Sequence, residues 1–399
     1  MNKNHTARRT ILAFIVLMGI VSMFSDMTHE GAASIIGAYL SMAGASSAAI
    51  GFTSGLGGFI GYSLRLVTGI VADRTGKYWP MTIIGYIIDC MAIPALALVP
   101  HGGWMFACGL IVLQRIGKAI KKPAKDTLLS FAATQYGAGK SFALQEVLDQ
   151  IGAVLGPVIL FLVLWLKHDS DRFSAYAACF LILGIPALIT ILLLLFARHK
   201  FPNPENFEPD EKPHTKLNMN WAFIFYLAAI SLFSLGFLDF PLITMHVARH
   251  GLMPDDELPL IYAGAMFIDA VAALGFGWLF DRFGLRTLMI STLTAAPFAL
   301  FVFGGSMRWE LWLGVLLWGI GMGAQESVLK AAVATLVPKK NRSTGYGVFQ
   351  TAFGICMFLG SWLMGILYGI SLPALVAFSV ITQIAAIPFF YLSWRKMVA

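Results

Sequence analysis

Two carboxylates and a histidine lie close together inside the first long apolar run of the chain. Asp26 and Glu30 are four residues apart, and His29 lies beside Glu30. Residues four apart share one face of a helix. Two carboxylates that meet in a poorly hydrated site cannot both ionise easily, so such a pair can take up and release a proton near neutral pH. This spacing predicts a proton-binding site; the alternative is a structural pair neutralised by a base of a neighbouring helix.

A second group of charges interrupts the fourth apolar run. Arg115, Lys118, Lys122 and Lys125 step by three, four and three residues, so on a helix they form one stripe. Such a stripe attracts an anionic substrate or forms ion pairs with acidic residues of the next run. We expect Arg115 and Lys118, which lie deeper, to contact substrate. A position at the cytoplasmic membrane interface is expected instead for Lys121, Lys122 and Lys125.

Acidic residues also occur in other apolar runs. A charge at the centre of a membrane helix costs about 2.5–3.5 kcal/mol, so each should face a wet cavity or the interior of the bundle. Asp239 and Asp269 are candidates for a proton or cation site, whereas Glu326 lies four residues before Lys330 and is expected to pair with it. The acidic candidates within the runs are Asp26, Glu30, Asp89, Glu146, Asp149, Asp239, Asp269 and Glu326.

The fifth run places polar and small residues on one helical face. Gln145 and Asp149 are followed by Gly152 and Gly156 at steps of four, three and four. Small residues at this spacing let two membrane helices approach closely. We expect the glycines to pack against another helix, and Asp149 and Glu146 are candidate ion-pair partners for the bases of the fourth run.

The composition excludes a soluble enzyme. Of 399 residues, 58% are hydrophobic and 12% are charged, and the mean hydropathy is +0.76. Soluble domains carry about 25% charged residues, so this much apolar surface requires an apolar solvent. No Gly-x-x-x-x-Gly-Lys-Ser/Thr loop for ATP occurs, and we expect no enzymatic activity, no cofactor and no bound metal. Small buried side chains are expected for Cys90, Cys108, Cys179 and Cys356.

Twelve apolar segments have the length of a membrane-spanning helix, about 20 residues. A polar stretch with four prolines, residues 198–220, cannot continue a helix through lipid, and it separates two six-helix bundles, 1–197 and 221–399. The first segment shows no cleavage site, so we expect it to be retained. The predicted segments of this all-α membrane protein are 11–36, 47–72, 79–99, 104–124, 140–166, 173–197, 221–248, 258–280, 286–304, 309–333, 342–368 and 371–394.

The two halves repeat one loop motif at equivalent places. Gly69-Ile-Val-Ala-Asp73-Arg74-Thr-Gly76-Lys77 follows the second segment, and Gly277-Trp-Leu-Phe-Asp281-Arg282-Phe-Gly284 follows the eighth. Parallel repeats are typical of one class of transporter. We expect Asp73 to cap the positive N-terminal end of a helix in the other half, in only one of two transport states. The predicted gating residues are Gly69, Asp73, Arg74, Gly76, Lys77, Asp126, Asp281 and Arg282.

These motifs resemble those of the major facilitator superfamily. The loop Gly-x-x-x-Asp-Arg-x-Gly-Lys is that family's signature between spans two and three, with Tyr78 here where a second base is usual. Arg115 looks like the family's span-four arginine. Gly152-Ala-Val-Leu-Gly156-Pro157 resembles a motif associated with antiporters, although Leu160 and Phe161 replace the pair of glycines that usually follows. The resemblance implies two six-helix bundles and transport by alternating access.

A narrower resemblance covers the first half. Ser22-x-x-x-Asp26-x-x-x-Glu30 and the run from Arg115 to Asp126 are similar to a group of bacterial permeases. That group reads Arg-x-Gly-Lys-Gly-Ile-Arg-x-Pro-x-Arg-Asp, and lysines replace two of its later arginines here. This resemblance does not indicate a substrate.

Basic residues predict the orientation in the membrane. With the N-terminus in the cytoplasm, 21 of the 28 lysines and arginines fall on the cytoplasmic side, and three lie within spans. The positive-inside rule therefore places both termini and the central linker in the cytoplasm of a bacterium, with the chain in the inner membrane. This asymmetry explains most of the +7 net charge without a nucleic-acid partner. The four basic residues outside are Lys167, Arg172, Arg249 and Arg308.

The sequence thus predicts a proton-coupled secondary transporter of a small solute, and the antiporter-like motif favours export. Two substrate classes stay open. An organic or amphiphilic anion would be held by Arg115 and Lys118, and this version is the one we favour. A metal or organic cation would be held by Asp26, Glu30 and His29. A third hypothesis is a non-transporting receptor or assembly factor. We expect a monomer whose partners are the solute, protons and the lipid bilayer.

Overall fold

The computed structural model describes residues 2–136, 138–167, 171–204, 220–336 and 342–398. Within these ranges the chain is helical and has no strand, as expected where lipid offers the backbone no hydrogen bonds. A short 3₁₀ turn, Leu96–Leu98, extends the third helix. The first half contains α1 (Asn2–Met42), α2 (Ser47–Thr75), α3 (Tyr78–Ala95), α4 (Trp104–Tyr136), α5 (Ala138–Leu166) and α6 (Arg172–Lys200).

The second half has more helices than spans, because three spans consist of two helices each. These pairs are α7 with α8, α10 with α11, and α12 with α13, the last joined by a π-helical turn, Gln325–Leu329. Counting each pair once gives six spans, so the predicted twelve-helix architecture is confirmed. The helices are α7 (Trp221–Gly236), α8 (Phe240–His250), α9 (Leu258–Phe283), α10 (Arg286–Ala295), α11 (Phe298–Gly304), α12 (Arg308–Ala324), α13 (Lys330–Leu336), α14 (Arg342–Ile370) and α15 (Leu372–Val398).

Ten spans within the described residues are long and apolar enough to cross a membrane on their own. α4 is not among them, because Arg115, Lys118 and Lys121 lie within two turns of one another. α12 has only 17 residues before the π-helical turn. In both spans the polar groups must find partners inside the protein.

The helices form two compact units. Unit 1 contains Met1–Ala33 and Leu64–Lys212, and unit 2 contains Ser34–Ser63 and Pro213–Ala399. In unit 1, α3 packs against α4 and α6. In unit 2, α7 packs against α14 and α15, and α9 packs against α12. α1 and α2 contribute to both units, so the units differ from the halves expected from sequence at residues 34–63.

Close contacts with the second half explain why residues 34–63 belong to unit 2. Arg249, at the end of α8, donates from Nε to Ser41 Oγ at 2.7 Å and from Nη2 to the carbonyl oxygen of Ala45 at 3.1 Å. Gly37 lies directly on the carbonyl oxygen of Pro241, where any side chain would collide. These contacts fix the second half of α1 to α8.

The seventh span is broken, although the sequence predicts one helix over 221–248. Ser379 Oγ and Gln383 Nε2 donate to the carbonyl oxygen of Gly236 at 2.7 and 3.1 Å, which satisfies the end of α7 inside the protein. Pro241 lies in the first turn of α8, where its missing N–H is not needed. The prediction of a continuous helix was wrong, because the bonds that stabilise the break come from α15.

Candidate functional site

A ladder of polar side chains joins α1 to α4 inside unit 1. Lys125 Nζ donates to Ser22 Oγ at 2.5 Å, and Lys121 Nζ donates to Ser25 Oγ at 2.8 Å. One turn further, Gln114 Nε2 lies 3.2 Å from His29 Nδ1. Ser22, Ser25 and His29 are spaced by three and four residues, so α1 presents all three to α4.

Asp89 of α3 accepts bonds from three sides at the centre of this ladder. Its Oδ2 lies 2.8 Å from His29 Nε2 and forms an ion pair with Lys121 Nζ. Its Oδ1 accepts a bond of 2.7 Å from Gln114 Nε2. The Gln114 amide nitrogen thus lies within hydrogen-bond distance of both Asp89 Oδ1 and His29 Nδ1. His29 Nε2 also lies 2.9 Å from Ser25 Oγ and 3.3 Å from Lys121 Nζ.

Lys121 has a complete set of partners. Its ammonium contacts the Asp89 carboxylate and the Ser25 hydroxyl, and it lies 3.9 Å from the centre of the Tyr86 ring. The expected interfacial position was wrong for Lys121 and Lys125, which are 5% and 4% exposed. The opposite charges of Lys121 and Asp89 neutralise each other among buried partners. We expect this closed network of Ser25, His29, Tyr86, Asp89, Gln114 and Lys121 to hold three helices together rather than to exchange protons.

The same groups do not make a metal site. His29, Asp89 and Cys90 place three possible ligand atoms within 4.8 Å of one another. However, the Lys121 ammonium occupies the carboxylate that a cation would need. A metal ion and an ammonium on one carboxylate would repel each other, so the donor set fits the ion pair and not an ion.

Two glycines let α3 and α4 come close enough for this network. A Cβ on Gly117 would lie 2.5 Å from the backbone nitrogen of Asp89. A Cβ on Gly85 would lie 2.6 Å from the backbone nitrogen of Lys121. Real side chains do not tolerate such distances to backbone, so both positions require glycine. Because glycine has only a hydrogen atom in place of a side chain, Asp89 and Lys121 can face each other across this contact.

The members of the predicted basic stripe of α4 lie in different surroundings. Lys125 and Lys121 face α1, whereas Lys122 forms an exposed ion pair with Asp126 at 3.8 Å. Only Arg115 and Lys118 stay half-buried without a place in the closed network. These four bases therefore do not act as one group, and contact of Arg115 and Lys118 with substrate stays a prediction.

A second set of charges lies beside the closed network and is only half-buried. The charges of Asp149 of α5, of Lys118 and of Glu30, one turn along α1, act on Asp26. The charges of Glu30, Asp26 and Arg115 act on Lys118. We call Asp26, Glu30, Asp149, Arg115 and Lys118 the mixed-charge set.

Asp149 is the least satisfied member of the mixed-charge set. Its Oδ1 is buried and has no hydrogen-bond partner among the described residues. Two glycines bring its helix against α1: Gly152 lies on the carbonyl oxygen of Met23, and Gly156 lies on that of Met27. Gln145 extends this contact with a bond of 3.4 Å to the carbonyl oxygen of Met18. An unpartnered carboxylate oxygen in such a place is open to contact by a donor or a cation.

Glu146 lies apart from the mixed-charge set. It is exposed, and its Oε1 lies 3.5 Å from Gln150 Nε2 on the same helix. It is therefore not an ion-pair partner for the bases of α4, although it is three residues from Asp149. One face of α5 turns toward α1, and Glu146 lies on another.

The acidic candidates of the second half lie in different places. Asp239 is half-buried at the start of α8, beside the break in the seventh span. Asp269 is 2% exposed in α9, and Gly323 of α12 packs on its carbonyl oxygen. The side chain of Glu326 lies outside the described residues, as does that of Lys330.

The loop motifs lie at the ends of α2 and α9. Gly76 has φ +62°, a conformation that favours glycine, and it ends the helix before Lys77. Arg74 and Lys77 are exposed, and Arg282 stacks 5.7 Å from the Trp278 ring. Gly69 lies near Pro123 of α4, and Pro157 is buried in α5. The side chains of Asp73 and Asp281 lie outside the described residues, so their gating role stays a prediction.

Sequence reasoning missed three members of the closed network: Gln114, Tyr86 and Lys121 in its buried place. One signal for them was available. Asp89 is the single acidic residue of its span, and a buried carboxylate requires a base from another helix. Which lysine of α4 becomes buried depends on contacts between residues that are 25 to 103 positions apart in the sequence. Ser22, Ser25 and Asp89 make such contacts with α4.

The family model of the Major Facilitator Superfamily matches residues 10–253 and again residues 225–397. The chain belongs to the Major Facilitator Superfamily. It is therefore a multi-pass membrane transporter, and the double match agrees with the repeated loop motif. This membership gives the mixed-charge set a context, since polar groups inside such a bundle mark the paths of solutes and ions.

Relatives of this superfamily member extend over most of its length. An uncharacterized protein of Mycobacterium tuberculosis (strain ATCC 25618 / H37Rv) is 35% identical over 380 residues, which are 94% of this chain and 91% of that protein. An uncharacterized MFS-type transporter of Methanocaldococcus jannaschii is 25% identical over 382 residues, 93% and 92% of the two chains. Multidrug resistance protein MdtH of Photorhabdus laumondii matches a shorter part, with 28% identity over 160 residues, 40% and 37% of the two chains.

A solved structure supports the fold. A mutant of the nucleoside transporter NupG superimposes with a TM-score of 0.73 over 94% of this chain and 100% of that chain, at 15% identity. At such low identity the likeness concerns the fold alone.

Proposed function

We propose that this transporter exports small organic cations from the cytoplasm in exchange for protons. The observation that carries the proposal is the buried oxygen of Asp149, which has no hydrogen-bond partner among the described residues and lies in electrostatic contact with Asp26. Asp26, Glu30 and Asp149 are three carboxylates of the mixed-charge set, which contains two bases, Lys118 and Arg115, whereas Lys121 is paired with Asp89. Ionising all three at once is costly, so a proton or a cation is bound there.

Competition for these oxygens supplies the coupling. A positively charged substrate displaces the proton, and a returning proton displaces the substrate, because both neutralise the same carboxylates. Such mutual exclusion links outward movement of one to inward movement of the other. Exchange of one proton for one singly charged cation moves no net charge, so the pH gradient drives it; each additional proton that enters gains about 2.3 kcal/mol per 100 mV of membrane potential.

Export is favoured by two further features. Gly152, Gly156 and Pro157 form the motif that resembles that of antiporters. MdtH, which matches part of the chain, is a multidrug resistance protein by name. A transporter of several amphiphilic compounds needs charged groups that different substrates can reach. The half-buried mixed-charge set meets this need better than the closed network, whose members already have fixed partners.

The remaining parts of the proposal concern the whole chain. We place both termini and the linker 198–220 in the cytoplasm, and the protein as a monomer in a bacterial inner membrane. We assign alternating access to movement of the halves 1–197 and 221–399. The loop motifs at the ends of α2 and α9 serve as gates in this scheme, and Asp239, Asp269 and Glu326 are secondary candidates for cation contact.

An organic anion is the second candidate substrate, because Arg115 and Lys118 are half-buried and lie near each other. The two candidates differ in which substitution removes binding. Loss of binding in Arg115→Ala with retained binding in Asp26→Asn supports the anion, and the reverse result supports the cation.

The test uses the full chain in proteoliposomes with a fluorescent lipophilic cation. Asp26→Asn removes a carboxylate that both the cation and the proton need, so we expect it to abolish accumulation driven by a pH gradient and to weaken binding of the fluorescent cation. Glu146→Gln is the matched control, since it removes one exposed charge from the helix of Asp149. Full proton-driven transport in Asp26→Asn would refute the coupling. Absence of counterflow for every ligand that stabilises the protein would favour a receptor instead.

A further inference from the structure

Two histidines lie together in the last turns of α8. His246 and His250 are four residues apart, and their ring centres are 4.4 Å apart with 44° between the ring planes. His246 is 2% exposed, whereas His250 is exposed. Two histidines at this helical spacing can present a nitrogen each to one metal ion, as in helices that bind zinc.

Tyr368 of α14 fixes the orientation of the inner ring. Its hydroxyl lies 3.0 Å from His246 Nδ1, and the edge of Phe303 packs against the same ring with centres 4.9 Å apart. Metal-binding histidines usually carry a hydrogen bond on the nitrogen that does not bind the metal. Here that bond is already made on Nδ1, so Nε2 of His246 is the nitrogen available to a metal ion.

The charges around this pair permit a cation. Arg249 lies between the histidines in sequence and its charge acts on Tyr368, but its guanidinium bonds to Ser41 Oγ and the carbonyl oxygen of Ala45. The end of a helix carries partial negative charge, which favours a cation in its last turn. Glu257, in the following turn, is paired with Arg308 at 2.6 Å, so water would complete the coordination.

We propose that His246 and His250 bind one divalent transition-metal ion, such as Zn²⁺ or Ni²⁺, with Tyr368 as a positioning residue. Imidazole ligands select this class over Mg²⁺ or Ca²⁺, which prefer oxygen. The bound ion ties together the last two turns of α8, the turns that also carry the contact of Arg249 with Ser41. The site lies in unit 2, outside the mixed-charge set, and its existence does not depend on the proposed export of cations.

The test is a Zn²⁺ titration of the purified full chain after treatment with a chelator, read by calorimetry and by thermal unfolding. We expect one strong site and a rise in Tm that the chelator reverses. His250→Ala removes an exposed side chain, so the fold should persist while most of the Tm rise is lost. Tyr368→Phe keeps both ligands and should weaken binding about 10–100-fold, the usual effect of losing such a supporting bond.

His101→Ala is the matched control, because His101 is also exposed but stacks on Phe173 in unit 1. It should bind Zn²⁺ as the natural chain does. Lower pH should weaken binding in the natural chain, since a protonated imidazole cannot bind a metal. The proposal is overturned if the natural chain shows no Zn²⁺-dependent rise in Tm, or if His250→Ala binds Zn²⁺ as strongly as the natural chain.

Discussion

Asp89 and Lys121 are opposite charges buried in contact, and removing one leaves the other without its main partner. We expect Lys121→Met to lower the free energy of unfolding by about 3–5 kcal/mol, the usual cost of an uncompensated buried charge. The measurement is reversible unfolding of the purified protein in mixed micelles. The double variant Asp89→Asn with Lys121→Met should recover much of the loss, since both charges are then absent.

Lys122 offers a control one residue away. Its ion pair with Asp126 is 3.8 Å long, and both side chains are about 40% exposed. Exposed pairs contribute at most about 1 kcal/mol, so Lys122→Met should have little effect. Equal losses in Lys121→Met and Lys122→Met would mean that the pair with Asp89 is not what stabilises unit 1.

The bases of α4 follow two stripes that both satisfy helical spacing. One contains Arg115, Lys118, Lys122 and Lys125, and it is the stripe that the sequence suggests first. The other contains Gln114, Lys118, Lys121 and Lys125, and this is the one whose members mostly contact α1 and α3. Local spacing cannot choose between them, because the choice depends on which neighbouring helix covers each side. The proton-binding role of Asp26 and Glu30 was inferred from their spacing alone and stays a prediction.

Contact between α3 and α4 depends on one glycine from each helix. We expect Gly117→Ala to destabilise the protein by about 1–3 kcal/mol, because its methyl group would press on the backbone of Asp89 and move that carboxylate away from Lys121. Gly109→Ala is the control on the same helix, since no atom lies within 4 Å of a Cβ there. Unfolding of the two variants side by side is the measurement, and equal stability would argue against tight packing at Gly117.

Helix breaks were the part of the architecture that sequence did not predict. Proline is the usual sign of a break, yet α4, α5, α6 and α15 each contain a proline and continue through it. The seventh span breaks after Gly236, where the first proline is five residues further on. A helix can end inside the membrane only where other groups of the protein bond to the backbone N–H and C=O groups that the break leaves without partners. In this protein Ser379 and Gln383 do so from α15, and no local pattern reveals them.

Twelve spans were predictable at the scale of the whole molecule, because length and apolarity are local properties of each run. The repeated loop with Asp73 and Asp281 also gave the internal symmetry that the double family match supports. The two units were not predictable in detail, since residues 34–63 pack with the second half through contacts such as that of Arg249 with Ser41. Apolar composition places a helix in the membrane but does not select its neighbours.

The orientation of the whole chain rests on the asymmetry of its 28 lysines and arginines and is open to a direct test. In a background without the four natural cysteines, Asn203→Cys reports on the side of the termini and Ser306→Cys on the opposite side; both positions are exposed. A membrane-impermeant thiol reagent added to intact cells should label Ser306→Cys alone, and permeabilised cells should show labelling at both. Labelling of Asn203→Cys in intact cells would contradict the proposed cytoplasmic position of the linker and both termini.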